Sequence, residues 1–288
     1  MCDQEQLAAM SGRAVTRRTF GKLGALATLA ACTAPDEASA QQVRLSENFA
    51  KFDAPGGKMD AFFVYPAEGK HPAVIVWPDI AGLRDAFMSM GRRLARQGYA
   101  VLILNPYYRN AEAPQFDDFD DWRTQGGMEK VAPWREQLTA ANVMETAKAV
   151  VGWLDVQDQI DTAKGIGTQG YCMGGPFTVW TAAAAPERVK AAASFHGAGL
   201  VSEDPAAPVK MLGQTQASFL FAIARNDDRT APGDKDALKA AATAAGRPAT
   251  VEVFRADHGW TVDDSPVFDV DAADKAWDEL LDLYSKAL

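Results

Sequence analysis

Residues 170–175, Gly170-Tyr171-Cys172-Met173-Gly174-Gly175, set a thiol between glycines at the junction of a strand-like run (165–169) and a helix-like run (177–185). That is the pattern of a nucleophile elbow, a sharp strand-to-helix turn that pushes its central side chain out above a sheet edge. The glycines are needed because no Cβ fits where strand and helix backbones approach so closely. A cysteine nucleophile needs a base to take its proton, and the base needs a third group to fix its tautomer. The chain has only three histidines. His71 precedes a proline ahead of a strand, at the wrong end of a sheet for chemistry. His196 follows a strand in Phe195-His196-Gly197 and suits a pocket wall or a group acting on the thiol. His258, in Ala256-Asp257-His258-Gly259-Trp260 after the last expected strand, is the candidate base. Asp227 is the candidate acid, being the first carboxylate past the preceding strand, with Asp228 as its competitor. The order Cys172, Asp227, His258 is nucleophile, acid, base. The oxyanion donors expected of such a turn are the backbone N–H of Met173 and one from the loop after Trp77, most simply that of Ile80.

Positioning these groups requires strands that all end on one edge. Residues 73–77 and 100–104 are continuous apolar runs of strand length, as in parallel strands covered on both faces. Further strands are expected over 59–65, 191–195, 219–224 and 250–254. A strand and loop are expected to lead in over 41–54. Helices fit 83–97, a face formed by Val143, Ala147, Val150, Val151 and Leu154, and the stretches 235–245 and 271–287. Strand and helix alternating in this way predict an α/β fold with an open, mostly parallel sheet and helices on both faces. Ligands of such sheets bind at the carboxyl ends of the strands. The candidate residues all fall just after strands.

The 288 residues are 48% hydrophobic and 23% charged, enough for one sizeable core, with a formal charge of −9 and no basic patch. Nucleic acid is therefore not an expected partner, because phosphate binding needs clustered Lys and Arg. The first 40 residues read as an export signal. Arg17-Arg18 precede a short apolar run (23–31) and the small-residue site Ala38-Ser39-Ala40, a twin-arginine pattern that predicts a periplasmic domain over 41–288. Leu29-Ala30-Ala31-Cys32 also fits a lipoprotein signal, so lipidation at Cys32 is the one route to a membrane. Cys2 and Cys32 lie in this segment. Cys172 is then the lone thiol of a monomeric domain destined for an oxidising compartment.

Three segments together, 170–175, 256–260 and Asn105-Pro106-Tyr107-Tyr108-Arg109, resemble the dienelactone hydrolase family over residues 43–288. The resemblance implies an α/β-hydrolase fold and ester or lactone hydrolysis by a Cys-His-Asp triad, with no metal or organic cofactor. It also implies that Arg109 holds a substrate carboxylate. Tyr107, Tyr108, Trp122 and Trp260, aromatic residues near strand ends, suit either an apolar pocket wall or simply the core. Two positions depart from the family pattern. Asp79 stands where a glutamate usually activates the thiol, and Val262 where a second arginine is expected. The acidic stretch around Phe119 (117–121) lacks the glycine and distal glutamate of a calcium loop and reads as a solvated or pocket-rim loop. Two other readings remain open: a silent hydrolase-fold binding module and a redox-sensing thiol.

Overall fold

The computed structural model describes residues 43–288. The expected export signal and the Cys32 lipidation site lie outside the described residues. A single eight-stranded sheet runs in the order β1-β2-β4-β3-β5-β6-β7-β8. Its strands are β1 (Leu45–Ala54), β2 (Gly57–Pro66), β3 (Ala73–Trp77), β4 (Ala100–Leu104), β5 (Ile166–Tyr171), β6 (Val189–Phe195), β7 (Ser218–Ala224) and β8 (Ala249–Phe254). The β1–β2 hairpin and the β2–β4 pair are antiparallel, and every later pair is parallel. Strand order reverses at β3, which lies between β4 and β5. That switch point is where an open α/β sheet leaves a crevice at its carboxyl edge.

Both faces of the sheet are covered, and the strand sequences state why. Successive strand residues point to opposite faces. Ala73, Ile75 and Trp77 of β3, with Leu102 and Leu104 of β4, enter a core shared with Val143, Val150 and Leu154 of one helix. Their neighbours Val74, Val76, Val101 and Ile103 enter the opposite core with Leu94, Trp277 and Leu280. The helices that carry these side chains are α1 (Asp85–Ala95), α4 (Ala140–Asp155) and α9 (Val270–Ala287). The other helices in chain order are α2 (Phe119–Thr124), α3 (Gly127–Arg135), α5 (Gly175–Ala184), α6 (Pro208–Met211), α7 (Arg225–Thr230) and α8 (Asp234–Ala244). Gly98, at φ +97°, ends the α1 region, as a residue free of Cβ strain should.

The acidic stretch at 117–121 differs from the rim loop expected of it. Asp118 is an N-cap whose side chain accepts the Asp121 N–H, and α2 follows it. Phe119 and Trp122 turn inward, joining Ile80, Ala81, Tyr107, Phe116 and Val131 in a third, smaller core. The charges face water while the aromatics between them are buried. Alternating charge and aromatic residues over six positions gave no period long enough to read as a helix.

The packing sorts the glycines into two kinds. A Cβ on Gly175 meets the Cα of Gly197 and, at 2.6 Å, the Oγ of Ser194, whereas one on Gly152, exposed in α4, meets nothing within 4 Å. Gly175→Ala is expected to cost about 2–3 kcal/mol through overpacking. Gly152→Ala is expected to add roughly 0.5–1 kcal/mol through helix propensity. Urea denaturation midpoints at unchanged slope measure both.

Candidate active site

At the end of β5 the chain turns through one 3₁₀ turn, Cys172–Gly174, into α5. Cys172 adopts φ +51°, in the left-handed region that a residue with a Cβ enters only when its surroundings impose it. The neighbouring glycines make that turn fit. A Cβ on Gly174 runs into the carbonyl oxygens of Trp77 and Pro78, and one on Gly170 into the Gly174 carbonyl. Cys172 is 5% exposed and is the one cysteine among the described residues. The Cys172 N–H donates to His196 Nδ1 at 3.1 Å, and His196 Nε2 lies 2.9 Å from Thr261 Oγ1.

His258 sits in the turn after β8 and is 6% exposed. Its Nδ1 is 2.7 Å from Asp227 Oδ2. Its backbone N–H donates to Asn226 Oδ1 at 2.9 Å, so neighbouring residues of one helix start fix both the loop and the ring. Asp227 belongs to the first turn of α7 rather than to a loop. The adjacent Asp228 pairs with Lys235, which separates the two candidate carboxylates. Outside them Arg225 makes a two-pronged pair with Asp257 at 2.9 Å, closing the end of β7 against the end of β8. The rings of His258 and His196 lie 4.8 Å apart between centroids. His196 is thus the common neighbour of the thiol-bearing backbone and the imidazole that Asp227 orients. Burial, then the nearness of His258, holds His196 well below the usual histidine range.

Asp79 makes different contacts from the thiol contact its position suggested. Both its oxygens accept from Arg84, at 2.8 and 3.0 Å, and Oδ1 also accepts the Ala81 N–H. Arg84 in turn reaches Asp264 through Nε and Nη2, at 2.6 and 2.8 Å, and Asp264 accepts the Phe119 N–H. Burial pushes the Asp79 carboxyl up while Arg84 opposes it. The Arg84 guanidinium is held protonated, its pKa raised by the two carboxylates against the effect of burial. The result is a carboxylate–guanidinium–carboxylate bridge joining the loop after β3, the start of α2 and the loop after His258.

Ile80 follows Asp79, and the Tyr107 hydroxyl donates to its carbonyl at 2.7 Å while lying 3.4 Å from Met173 Sδ. Tyr107 therefore orients the Ile80 peptide against the elbow. A cleft of about 170 Å³ opens beside these two, lined by Ile80, Met173, Leu138, Phe177, Ala198 and Arg135. The other predicted substrate groups point elsewhere. Arg109 donates to Thr146 Oγ1 at 2.9 Å and to the Asn142 carbonyl on α4, and lies over the Tyr108 ring. Tyr108 donates to the Pro55 carbonyl. Trp260 is fully buried, stacked on Phe254 and edge-on to His196, and Trp122 is in the third core. Val262 is buried and apolar.

Four residues of the site carried no sequence signal strong enough to single them out: Thr261, Arg84, Asn226 and Arg135. Thr261 is three residues past His258, a place where a loop threonine is ordinary. Arg84 and Asp264 are 180 positions apart, and only the fold joins them. Arg84→Met strips both carboxylates of a buried partner and is expected to destabilise by about 3–5 kcal/mol. Chemical denaturation of the folded variant measures it, and a loss under about 1 kcal/mol contradicts the bridge.

A family model, the Dienelactone hydrolase family, matches residues 59–288. A Synechocystis sp. protein named "Putative carboxymethylenebutenolidase" is 27% identical over 229 residues, covering 77% of this chain and 89% of that relative. A relative of the same name from Methylorubrum extorquens is 27% identical over 234 residues, covering 79% and 77%. The solved structure of a "Putative Dienelactone Hydrolase" from Klebsiella pneumoniae superposes with a TM-score of 0.71 at 22% identity, over 84% of this chain and 99% of that one. With an eight-stranded α/β-hydrolase sheet and a family match reaching from β2 to the last helix, this chain belongs to the dienelactone hydrolase family and is a carboxylic ester hydrolase.

Proposed function

We propose that the chain hydrolyses a small ester or lactone with Cys172 as nucleophile, His258 as base and Asp227 as the group that orients it. The observation that carries this reading is the 2.7 Å contact of His258 Nδ1 with Asp227, one ring away from a cysteine on a left-handed elbow. With Nδ1 held by the carboxylate, Nε2 is the nitrogen left to accept the thiol proton. The thiolate attacks the carbonyl carbon and the C=O electron pair moves to oxygen, where the Met173 and Ile80 N–H groups stabilise it. Collapse expels the alkoxide, which takes the proton back from His258. In a lactone the alkoxide stays tethered, so the ring opens onto the enzyme as a hydroxyacyl thioester. Water then gives a proton to His258 and its oxygen to the acyl carbon, and the carboxylic acid leaves with the thiol regenerated.

Arg135 narrows the substrate within this reading. Its Nη1 has one polar contact among the described residues, a weak one to Met128 Sδ at 3.8 Å, and it faces the cleft that Ile80 and Met173 line. A half-buried guanidinium with no carboxylate partner among the described residues favours an ester whose acid portion carries negative charge, since hydrogen bonds to ions exceed neutral ones in strength.

An ester and lactone panel tests both parts. Cys172→Ala is expected to abolish turnover in a folded protein, and hydrolysis at the wild-type rate in that variant would sink the nucleophile. Arg135→Gln is expected to raise KM for an anionic ester by about 10-fold while leaving a neutral one within about 2-fold. Trapping of an acyl group on Cys172 by rapid quench and mass spectrometry reads the thioester directly.

We also propose that the domain works outside the cytoplasm, carried there by the segment with Arg17 and Arg18. Replacing both arginines by lysine is expected to leave the protein in the cytosolic fraction. Periplasmic recovery of that variant excludes twin-arginine export.

A further inference from the structure

We infer that Thr261, His196 and the Cys172 backbone form a neutral hydrogen-bonded strut, in which His196 positions the nucleophile by accepting the elbow N–H.

The direction of each bond follows from the donors. A backbone N–H can only donate, so the His196 Nδ1 that lies 3.1 Å from the Cys172 nitrogen carries no proton. In a neutral imidazole the proton is then on Nε2, which donates to Thr261 Oγ1 at 2.9 Å. One tautomer satisfies both ends. The imidazolium does not, because a second ring N–H would face the amide N–H. The surroundings oppose that charge: His196 is 1% exposed, packed between Tyr171 and Trp260, with the His258 ring 4.8 Å away between centroids.

Both residues at the centre of the strut are under backbone strain. Cys172 has φ +51° and His196 φ +41°, and among the described residues they are the two non-glycines with positive φ. Strain of this kind persists only where the structure over-determines it. His196 is held from three sides. Its N–H donates to the Ala222 carbonyl of β7, its ring meets Thr261, and the next residue, Gly197, packs on Gly175 so closely that a Cβ does not fit. The elbow amide is thereby tied through one ring to β7 and to the loop that bears His258. This is the pairing a nucleophile and its base need if Sγ and Nε2 are to keep one separation. His196 touches no reacting atom in this scheme. It acts through Cys172.

The strut rests on the Cys172 reading above for its effect on turnover, but thiol alkylation reads it without reference to any substrate. His196→Asn keeps an acceptor on a side chain that tolerates left-handed backbone, and His196→Phe keeps a ring without one. His196→Phe is expected to lower kcat by about 10-fold with KM within about 3-fold, and to slow alkylation of Cys172 by iodoacetamide to a similar degree. His196→Asn is expected to recover most of both losses. A folded His196→Phe protein with wild-type kcat and alkylation rate overturns the strut, as does a folded His196→Asn protein as slow as His196→Phe. Should His196→Phe not fold, ¹⁵N spectra of the wild-type histidines decide: an unprotonated Nδ1 with a protonated Nε2 at His196 supports the proposal, and the other tautomer or an imidazolium at neutral pH overturns it. Hydrolysis that survives Cys172→Ala, with alkylation still sensitive to His196, refutes the triad and leaves the strut standing.

Discussion

Close approach of three backbones at the end of β5 is the constraint around which the carboxyl edge is arranged. The turn from β5 into α5 passes within contact of the β3 end at Trp77 and Pro78 and of the β6 end at Gly197. Only glycine fits at positions 170, 174 and 175, and Cys172, the first residue of the turn, is driven into the left-handed region. A compact turn of this kind fixes where a side chain can go far more tightly than a loop does, because the core resists small displacements. The thiol therefore inherits its position from the sheet. So do the N–H groups of Met173 and Ile80, which belong to the two chain segments pressed together there.

The loops at this edge are held by ion pairs, one buried and one exposed. Arg84 joins Asp79 to Asp264, and Arg225 joins Asp257 to the end of β7. Of the two, the exposed Arg225 pair contributes little to stability. The buried one matters through what happens if it is broken, since each remaining charge would be desolvated without compensation. Between these braces sit two histidines of opposite character. His196 is enclosed and kept neutral, while His258 faces a carboxylate. Adjacent imidazoles of like charge would repel, and burial together with the nearness of His258 holds His196 well below the usual histidine range.

Much of this was legible beforehand where one physical cause dominated. Strands β3 and β4 coincide with their apolar runs because a strand covered on both faces shows no polar interruption to confuse its ends. The elbow was visible because steric exclusion leaves glycines that no other role requires. Residues 119–135 were not, since α2 and α3 are short, interrupted by Gly126 and Pro133, and charged between their buried aromatics. Arg109 shows a different limit. Its place after β4 matches the family pattern, yet its direction is set by Thr146 and Asn142 on α4, partners that no local motif contains. Asp79 likewise kept a familiar position while Arg84 changed its company. Sequence position fixed the address of these side chains, and long-range partners fixed their aim.

The bridge through Arg84 also has a bearing on how the chain is made. Arg84 emerges from the ribosome early, and Asp264, its second carboxylate, follows 180 residues later. Until then the loop bearing Ile80 is closed on one side only, and the segment that carries His258 has not yet been translated when the elbow first can form. The central strands β3 to β6 are thus all translated well before the loop bearing Ile80 has its second brace or His258 is present. The Arg84 bridge closes only once Asp264 has been translated, so a product truncated before residue 264 holds Cys172 at a sheet edge that lacks this brace.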